Sequence, residues 1–252
     1  VQLGVPVGPW RAPPNSINVF YTESIMDELA NAAGVDPLEY RLRFLHESPR
    51  HKTILEQVAK QANWGTKLPK GQGRGVAIND WFPLEGVTTV VAQVAEVSIN
   101  TRGRVKINRV DCVIDCGLVV NPDSVVAQIE GSIIMGMSAT LFEQITLDEG
   151  QVVQGNFDDY KIARMRDTPE INVTIVSSHV AGDVQDRHVS HLLMFTPRVS
   201  FRNDKCQHYV WSGRGRFHPH LIQERTTNHR TNHPTKQPHI HPTNQPTRQP
   251  TN

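Results

Sequence analysis

The sequence predicts an α+β fold in which helices pack on an antiparallel sheet, followed by a C-terminal tail that does not fold. Three observations carry this prediction. Apolar residues recur at helical spacing up to residue 64, alternate at strand spacing through 87–115, and return to helical spacing after Asn121-Pro122. A short loop joins the two alternating segments, which makes them an antiparallel pair. After Ser178 the composition changes abruptly, in charge, in histidine content and in the loss of any period.

The elements follow in order. Asn15 and Ser16 precede Val19, Phe20, Ile25, Leu29, Ala30 and Ala33, an approximate apolar stripe closed by Gly34, so a helix is expected over 17–33. Asp36-Pro37 reads as the N-cap and first position of a second helix carrying Leu38, Leu42 and Leu45 on one face. Ser48-Pro49 repeats the signal and opens a third helix with Ile54, Leu55, Val58 and Ala62, ending near Trp64-Gly65. The glycine-rich GQGRG at 71–75 is expected to be a plain turn, because a phosphate-cradling loop needs a strand before it and a helix after it, and here a strand follows. Residues 87–99 and 104–115 are β-branched and largely alternating, with the hairpin loop at 100–103. Asn121-Pro122 caps a helix running to about 139 whose expected buried face is Val125, Val126, Ile129, Ile133 and Ile134, while Gly131 and Gly136 admit close approach of another backbone or of a ligand. Further strands are expected at about 140–147 and 171–177.

Length and composition bound the function. The chain has 252 residues, 38% of them hydrophobic, enough for one globular domain of moderate size or a domain with a tail. Apolar runs fall short of the about 20 residues of a bilayer span, so no membrane span is expected, and no signal peptide opens the chain, which starts at Val1. Three cysteines, Cys112, Cys116 and Cys206, support neither a disulfide framework nor a zinc site. The near-neutral balance of 26 basic and 25 acidic residues is a cancellation: net −5 up to Ser178 and +6 after it. Ten of the 12 histidines also follow Ser178, and from Thr226 the only aliphatic residue is Ile240. Such a segment cannot offset the roughly 1–2 kcal/mol per residue of backbone ordering entropy. Three parts are therefore expected: a domain over 1–178, a poorly defined segment over 179–225, and a disordered Thr/Asn/His/Pro/Gln-rich tail over 226–252.

Few residues stand out as chemistry. Cys112 and Cys116, four apart on a strand, would lie about 13 Å apart, too far for a disulfide or a shared metal, and read as buried core thiols. His46 and His51, the two histidines of the ordered part, read as surface residues beside a helix start. The His-rich basic tail lacks ligand spacing and an aromatic platform, so neither metal nor nucleic acid is expected as its partner. The loop GPWRAPPN at 8–15 places one cation, Arg11, among three prolines at a helix start, which suits either an anionic ligand or a rigid linker. Gln128, one turn before Gly131, points an amide either at a heterocycle or at solvent.

Taken together, GPWRAPPNSINVFYTESIMDELANAAGVDPLEYRLRFL, AQVAEVSI, DCGLVVNPDSVVAQIEGSIIMGMSATLFE and NFDDYKIARMRDTPEI resemble the molybdopterin-binding large subunit of molybdenum hydroxylases. Within the xanthine dehydrogenase and aldehyde oxidase superfamily, the chain resembles the isoquinoline 1-oxidoreductase beta-subunit type, over about residues 4–178. The resemblance implies a molybdopterin cofactor in the intact protein, hydroxylation of a small aldehyde or N-heterocycle with oxygen from water, and electron transfer to an iron–sulfur subunit or domain. It also implies cofactor-binding roles for Arg11 and Ala12, in the loop facing molybdenum and pterin, for Gln128, and for the small residue Gly131 beside it.

The departures matter as much. In the family, the strand ending in IVSS leads into a GGVGEPG-like loop whose glutamate is the general base, whereas here the text runs HVAGDVQDRH. Neither Asp183 nor Asp186 sits in a matching motif, so no catalytic residue is assigned. The family's GGGFG-like loop would lie before residue 1, so the chain reads as a C-terminal fragment. A frameshift after Ser178 would account for the three compositional changes together. The competing reading is a non-catalytic interaction subunit that keeps the scaffold.

Overall fold

The computed structural model describes Gly8, residues 15–84 and 87–176, and the backbone of three short strands beyond them; side chains are described over 18–80 and 89–176. Three helices come first: α1 (Asn15–Ala32), α2 (Pro37–Leu42) and α3 (Pro49–Gln61). A long meander follows, β1 (Gln72–Leu84), β2 (Val87–Ile99) and β3 (Val105–Asp115), then α4 (Pro122–Leu141), a two-residue hairpin β4 (Leu147–Asp148) and β5 (Gln151–Val152), and β6 (Glu170–Ile175). The four long strands form one sheet in the order β1-β2-β3-β6.

The predicted hairpin pairs Val90 with Asp115 and Ile99 with Val105. Its loop is closed by Asn100, whose Oδ1 accepts from the amides of Arg102 and Arg104 at 2.9 Å, while Gly103 takes φ +72°. Layering comes from burial on both sides of β2. Val90, Ala92 and Val94 pack with Ile54, Leu55 and Val58 of α3, whereas Val91, Ala95 and Val97 pack with Val125, Ile129, Ile133 and Met137 of α4. With both faces covered, β2 reads as a near-continuous apolar run. By length and composition α4, with 20 residues, would suffice to cross a membrane, a test that a core helix also passes. Here its apolar stripe is part of the domain core.

Four expectations are corrected. The glycine-rich segment is a turn only at Gly71 (φ +82°), and from Gln72 it is already β1, pairing with Ser98 of β2. The strand expected at 140–147 is absent: α4 continues to Leu141, the amides of Phe142 and Glu143 both donate to the Ser138 carbonyl, and only Leu147–Asp148 is extended. Thr140 favours strands but lies inside α4, and beyond the helix the Thr146 amide donates to Gln154 Oε1 at 2.7 Å. On α1 the buried positions are Val19, Ser24, Asp27 and Ala30, while Phe20, Ile25 and Leu29 of the expected stripe are exposed. Arg41 from α2 turns that face inward by binding Glu23 and Asp27. Finally, β6 joins β3 in parallel, Arg109 opposite Glu170 and Ile114 opposite Ile175. The excursion through α4 is long enough for such a crossover, and the rest of the sheet is antiparallel as expected.

In the segment expected to be poorly defined, the described backbone forms a three-stranded antiparallel sheet of β7 (Phe201–Arg202), β8 (His208–Ser212) and β9 (Arg216–His220). The tail over 226–252 lies outside the described residues.

Candidate functional site

The candidate site is built on α4 and the turn that feeds it. β3 ends at Asp115, Gly117 adopts φ +78°, and Leu118 and Val120 are exposed before the helix begins. Asn121 is the N-cap: its Oδ1 accepts from the amides of Asp123 (3.1 Å) and Ser124 (3.3 Å), and Pro122 occupies the first turn, where its missing N–H costs nothing. The buried stripe Val125, Ile129, Ile133 and Met137 fixes the rotation of the helix about its axis.

That rotation leaves Gln128 half-buried and Gly131 exposed, three residues apart and hence on adjoining positions of one face. A Cβ at Gly131 would meet nothing within 4 Å, so the packing of the described residues does not require glycine there. The Gln128 carbonyl accepts from the buried Ser132 hydroxyl, while its side-chain amide makes no hydrogen bond among the described residues. A free amide beside open backbone suits the edge of a flat, polar heterocycle. The structure thus brings Gln128 and Gly131 together; Arg11 and Ala12 lie outside the described residues.

The segment after α4 is folded back by contacts the sequence did not disclose. The Ala163 amide donates to Ser138 Oγ at 2.9 Å, and the Tyr160 hydroxyl donates to Glu143 Oε2 at 2.8 Å. Burial, reinforced by the Glu143 charge and hydrogen bond, pushes the Tyr160 phenol up to about 12. Asp159 accepts from the amides of Gly155 and Asn156, which hold its carboxyl below the usual range. An Asn-x-x-Asp turn signal at 156–159 was available for the last contact, but the Tyr160–Glu143 pair spans 17 residues and carries no local signature.

Other titratable groups are engaged in the scaffold. Cys112 and Cys116 are buried and in no disulfide, and burial pushes the Cys112 thiol far up. His46 is exposed, but His51, expected at the surface, is half-buried with Nε2 2.9 Å from Asp80 Oδ2. The correction arises because β1, which carries Asp80, was not anticipated beneath the start of α3. Among the described residues no group of three or more His, Cys, Asp or Glu side chains could hold a metal ion.

Comparison with known proteins identifies the family. Residues 21–169 match the family described as molybdopterin cofactor-binding domain. The chain is 35% identical over 164 residues to the beta subunit of isoquinoline 1-oxidoreductase from Brevundimonas diminuta, covering 64% of this chain and 21% of that one. It is 37% identical over 179 residues to a nicotinate dehydrogenase subunit of Pseudomonas putida, covering 66% and 15%. The fold is shared with the aldehyde oxidoreductase of Desulfovibrio gigas, at a TM-score of 0.55 and 11% identity, over 74% of this chain and 38% of that one. The chain therefore spans only about a fifth or less of the length of the two curated relatives. The extent of the family match, taken with the shared fold, shows that the chain belongs to the molybdopterin cofactor-binding domain family of the xanthine dehydrogenase and aldehyde oxidase type.

Proposed function

We propose that residues 1–178 are the cofactor-facing part of a molybdenum hydroxylase subunit, and that its intact form hydroxylates an aldehyde or N-heterocycle carbon and passes electrons to an iron–sulfur partner. The observation that carries this reading is the α4 face, where the Gln128 amide, without a hydrogen bond among the described residues, adjoins the backbone at Gly131, open among those residues, within the family match. The residues present fit a pterin: Gln128 offers both a donor and an acceptor to its ring edge, and Gly131 lets the helix backbone approach its plane. Arg11 and the Ala12 backbone are assigned to the same cofactor through the sequence motif. When bound, the cofactor supplies the two-electron oxidation; this chain's part is to bind and orient it. Isoquinoline and nicotinate, in the names of two relatives, are both N-heterocycles, which supports that substrate class.

The chain as given is proposed to be inactive. HVAGDVQDRH stands where the family carries its glutamate base, so no residue of the matching motif supplies a base to take a proton from water. The alternative, a non-catalytic interaction subunit that keeps the scaffold, draws support from the exposed Leu118, Val120, Phe157 and Met165.

The test is to produce the intact subunit with its iron–sulfur partner in a host that makes the cofactor, and to measure molybdenum, pterin fluorescence after oxidation, and hydroxylation. Molybdenum and pterin are expected to co-purify with the intact subunit, and turnover to be lost when the segment after Ser178 stands as it does in this sequence. Absence of molybdenum and pterin, with the partner still bound, would favour the interaction subunit; turnover with HVAGDVQDRH in place would refute its inactivity.

A further inference from the structure

An ion pair joins the start of α3 to the end of β3 at the point where the chain leaves the sheet for the candidate site. Asp115 is the last residue of β3 and is 1% exposed. All of its described acceptors are engaged. Oδ2 pairs with Arg50 Nε at 2.5 Å, Oδ1 accepts from the Gly117 amide at 3.0 Å, and its carbonyl accepts from an Arg50 terminal nitrogen at 3.0 Å. Arg50 stands in the first turn of α3, which covers the face of the sheet opposite α4.

The alternation of β3 explains why Asp115 meets Arg50. Val113 faces the α3 layer and Ile114 faces the α4 layer, so Asp115 returns to the α3 side, where Arg50 stands, and Cys116 goes to the α4 side. The next residue, Gly117, turns with φ +78°, a conformation that favours glycine, and its amide is held by the same carboxylate. Four residues later Asn121 caps α4. A single side chain therefore fixes the direction in which the chain leaves the sheet towards α4.

We propose that Asp115 and Arg50 are positioning residues for the cofactor: the pair sets the exit turn of β3, and through it the placement of α4, which presents Gln128 and Gly131. This rests on the cofactor reading above. Neither residue touches the cofactor. They act by holding the N-terminal end of α4, because a helix capped and packed along one stripe can still shift where its leading turn is loose.

The test combines hydrogen exchange on this chain with cofactor content of the intact subunit. Asp115→Asn keeps an acceptor for Gly117 and removes the charge held by Arg50, and Arg50→Lys keeps the charge and loses the two-point grip. Val58→Ala, in the α3 core away from the turn, is the control for general destabilisation. The expected result is amide exchange over 117–125 about tenfold faster in Asp115→Asn, smaller in Arg50→Lys, with β2 and the body of α3 still protected. Pterin content of the intact subunit should fall in the same order and stay near wild type in Val58→Ala. Exchange that rises evenly over the sheet, or wild-type pterin content in Asp115→Asn, would overturn the proposal. An intact wild-type subunit without pterin would instead remove the cofactor reading, and this inference with it.

Discussion

Replacing Arg41 by methionine should cost the domain a large part of its stability. Arg41 is 2% exposed and is held by four hydrogen bonds: Nε to Glu23 Oε2 (3.0 Å), one terminal nitrogen to Asp27 Oδ1 (2.7 Å) and the Pro37 carbonyl (3.1 Å), the other to the Glu23 carbonyl (3.0 Å). Methionine fills similar volume but takes the Arg41 cation away from two carboxylates, 12% and 7% exposed. Breaking a buried pair by removing one partner costs about 3–5 kcal/mol, against a total of about 5–15 kcal/mol for a domain. The sign of the pH dependence follows from Glu23. Burial raises its pKa, and the Arg41 charge works against that rise, so the carboxyl rises further in Arg41→Met. An acid with a raised folded-state pKa contributes fully below its unfolded value, where it is protonated in both states, and loses that contribution as pH rises through the folded value. The deficit of Arg41→Met should therefore narrow from neutral to mildly acid pH. Urea denaturation followed by tryptophan fluorescence at both pH values measures it. The triple variant Glu23→Gln, Asp27→Asn, Arg41→Met removes the charges together, keeps an acceptor for the Ile78 amide at Glu23, and should recover most of the loss. A single-variant cost under about 1 kcal/mol, or a triple variant no better than the single, would refute the argument that uncompensated burial dominates.

Further outcomes are expected at Gly131 and at Tyr160. Gly131→Ala should stabilise this chain by about 0.5–1 kcal/mol, since a helix-interior glycine is replaced where nothing is crowded, and thermal denaturation reads it; Gly131→Leu should leave stability intact yet lower the pterin content of the intact subunit. Tyr160 should ionise at about 12, seen by subtracting the ultraviolet titration of Tyr160→Phe. Because that pKa is raised, its contribution to stability is present below the unfolded tyrosine value and is lost as pH rises through about 12; removing the adjacent charge in Glu143→Gln should move the titration downward.

The elements legible in the sequence were those with local signals. The Pro-opened helices α2, α3 and α4 start where Asp36-Pro37, Ser48-Pro49 and Asn121-Pro122 place them, and β2 and β3 meet across the Asn100 loop. β1 went unnoticed because its glycines and Pro83 weaken a strand signal, and its pairing with β2 outweighs them only once β2 is in place. The exposed side of α1 was misjudged because Arg41, 14 residues beyond Asp27, decides which face is buried. At the candidate site, the common face of Gln128 and Gly131 follows from their spacing. That the space beside Gly131 is open does not.

Sequence by itself determined the family, the capped helix that carries Gln128 and Gly131, and the departure at HVAGDVQDRH, since each is a property of consecutive residues. Tertiary structure alone decided that β6 enters in parallel, that a polar face of α1 turns inward, and that Asp115 ties the exit of β3 to the far helical layer. The reason is that these depend on partners 14 to 65 residues apart, whose contact energies exceed local preference only after the sheet has brought them together.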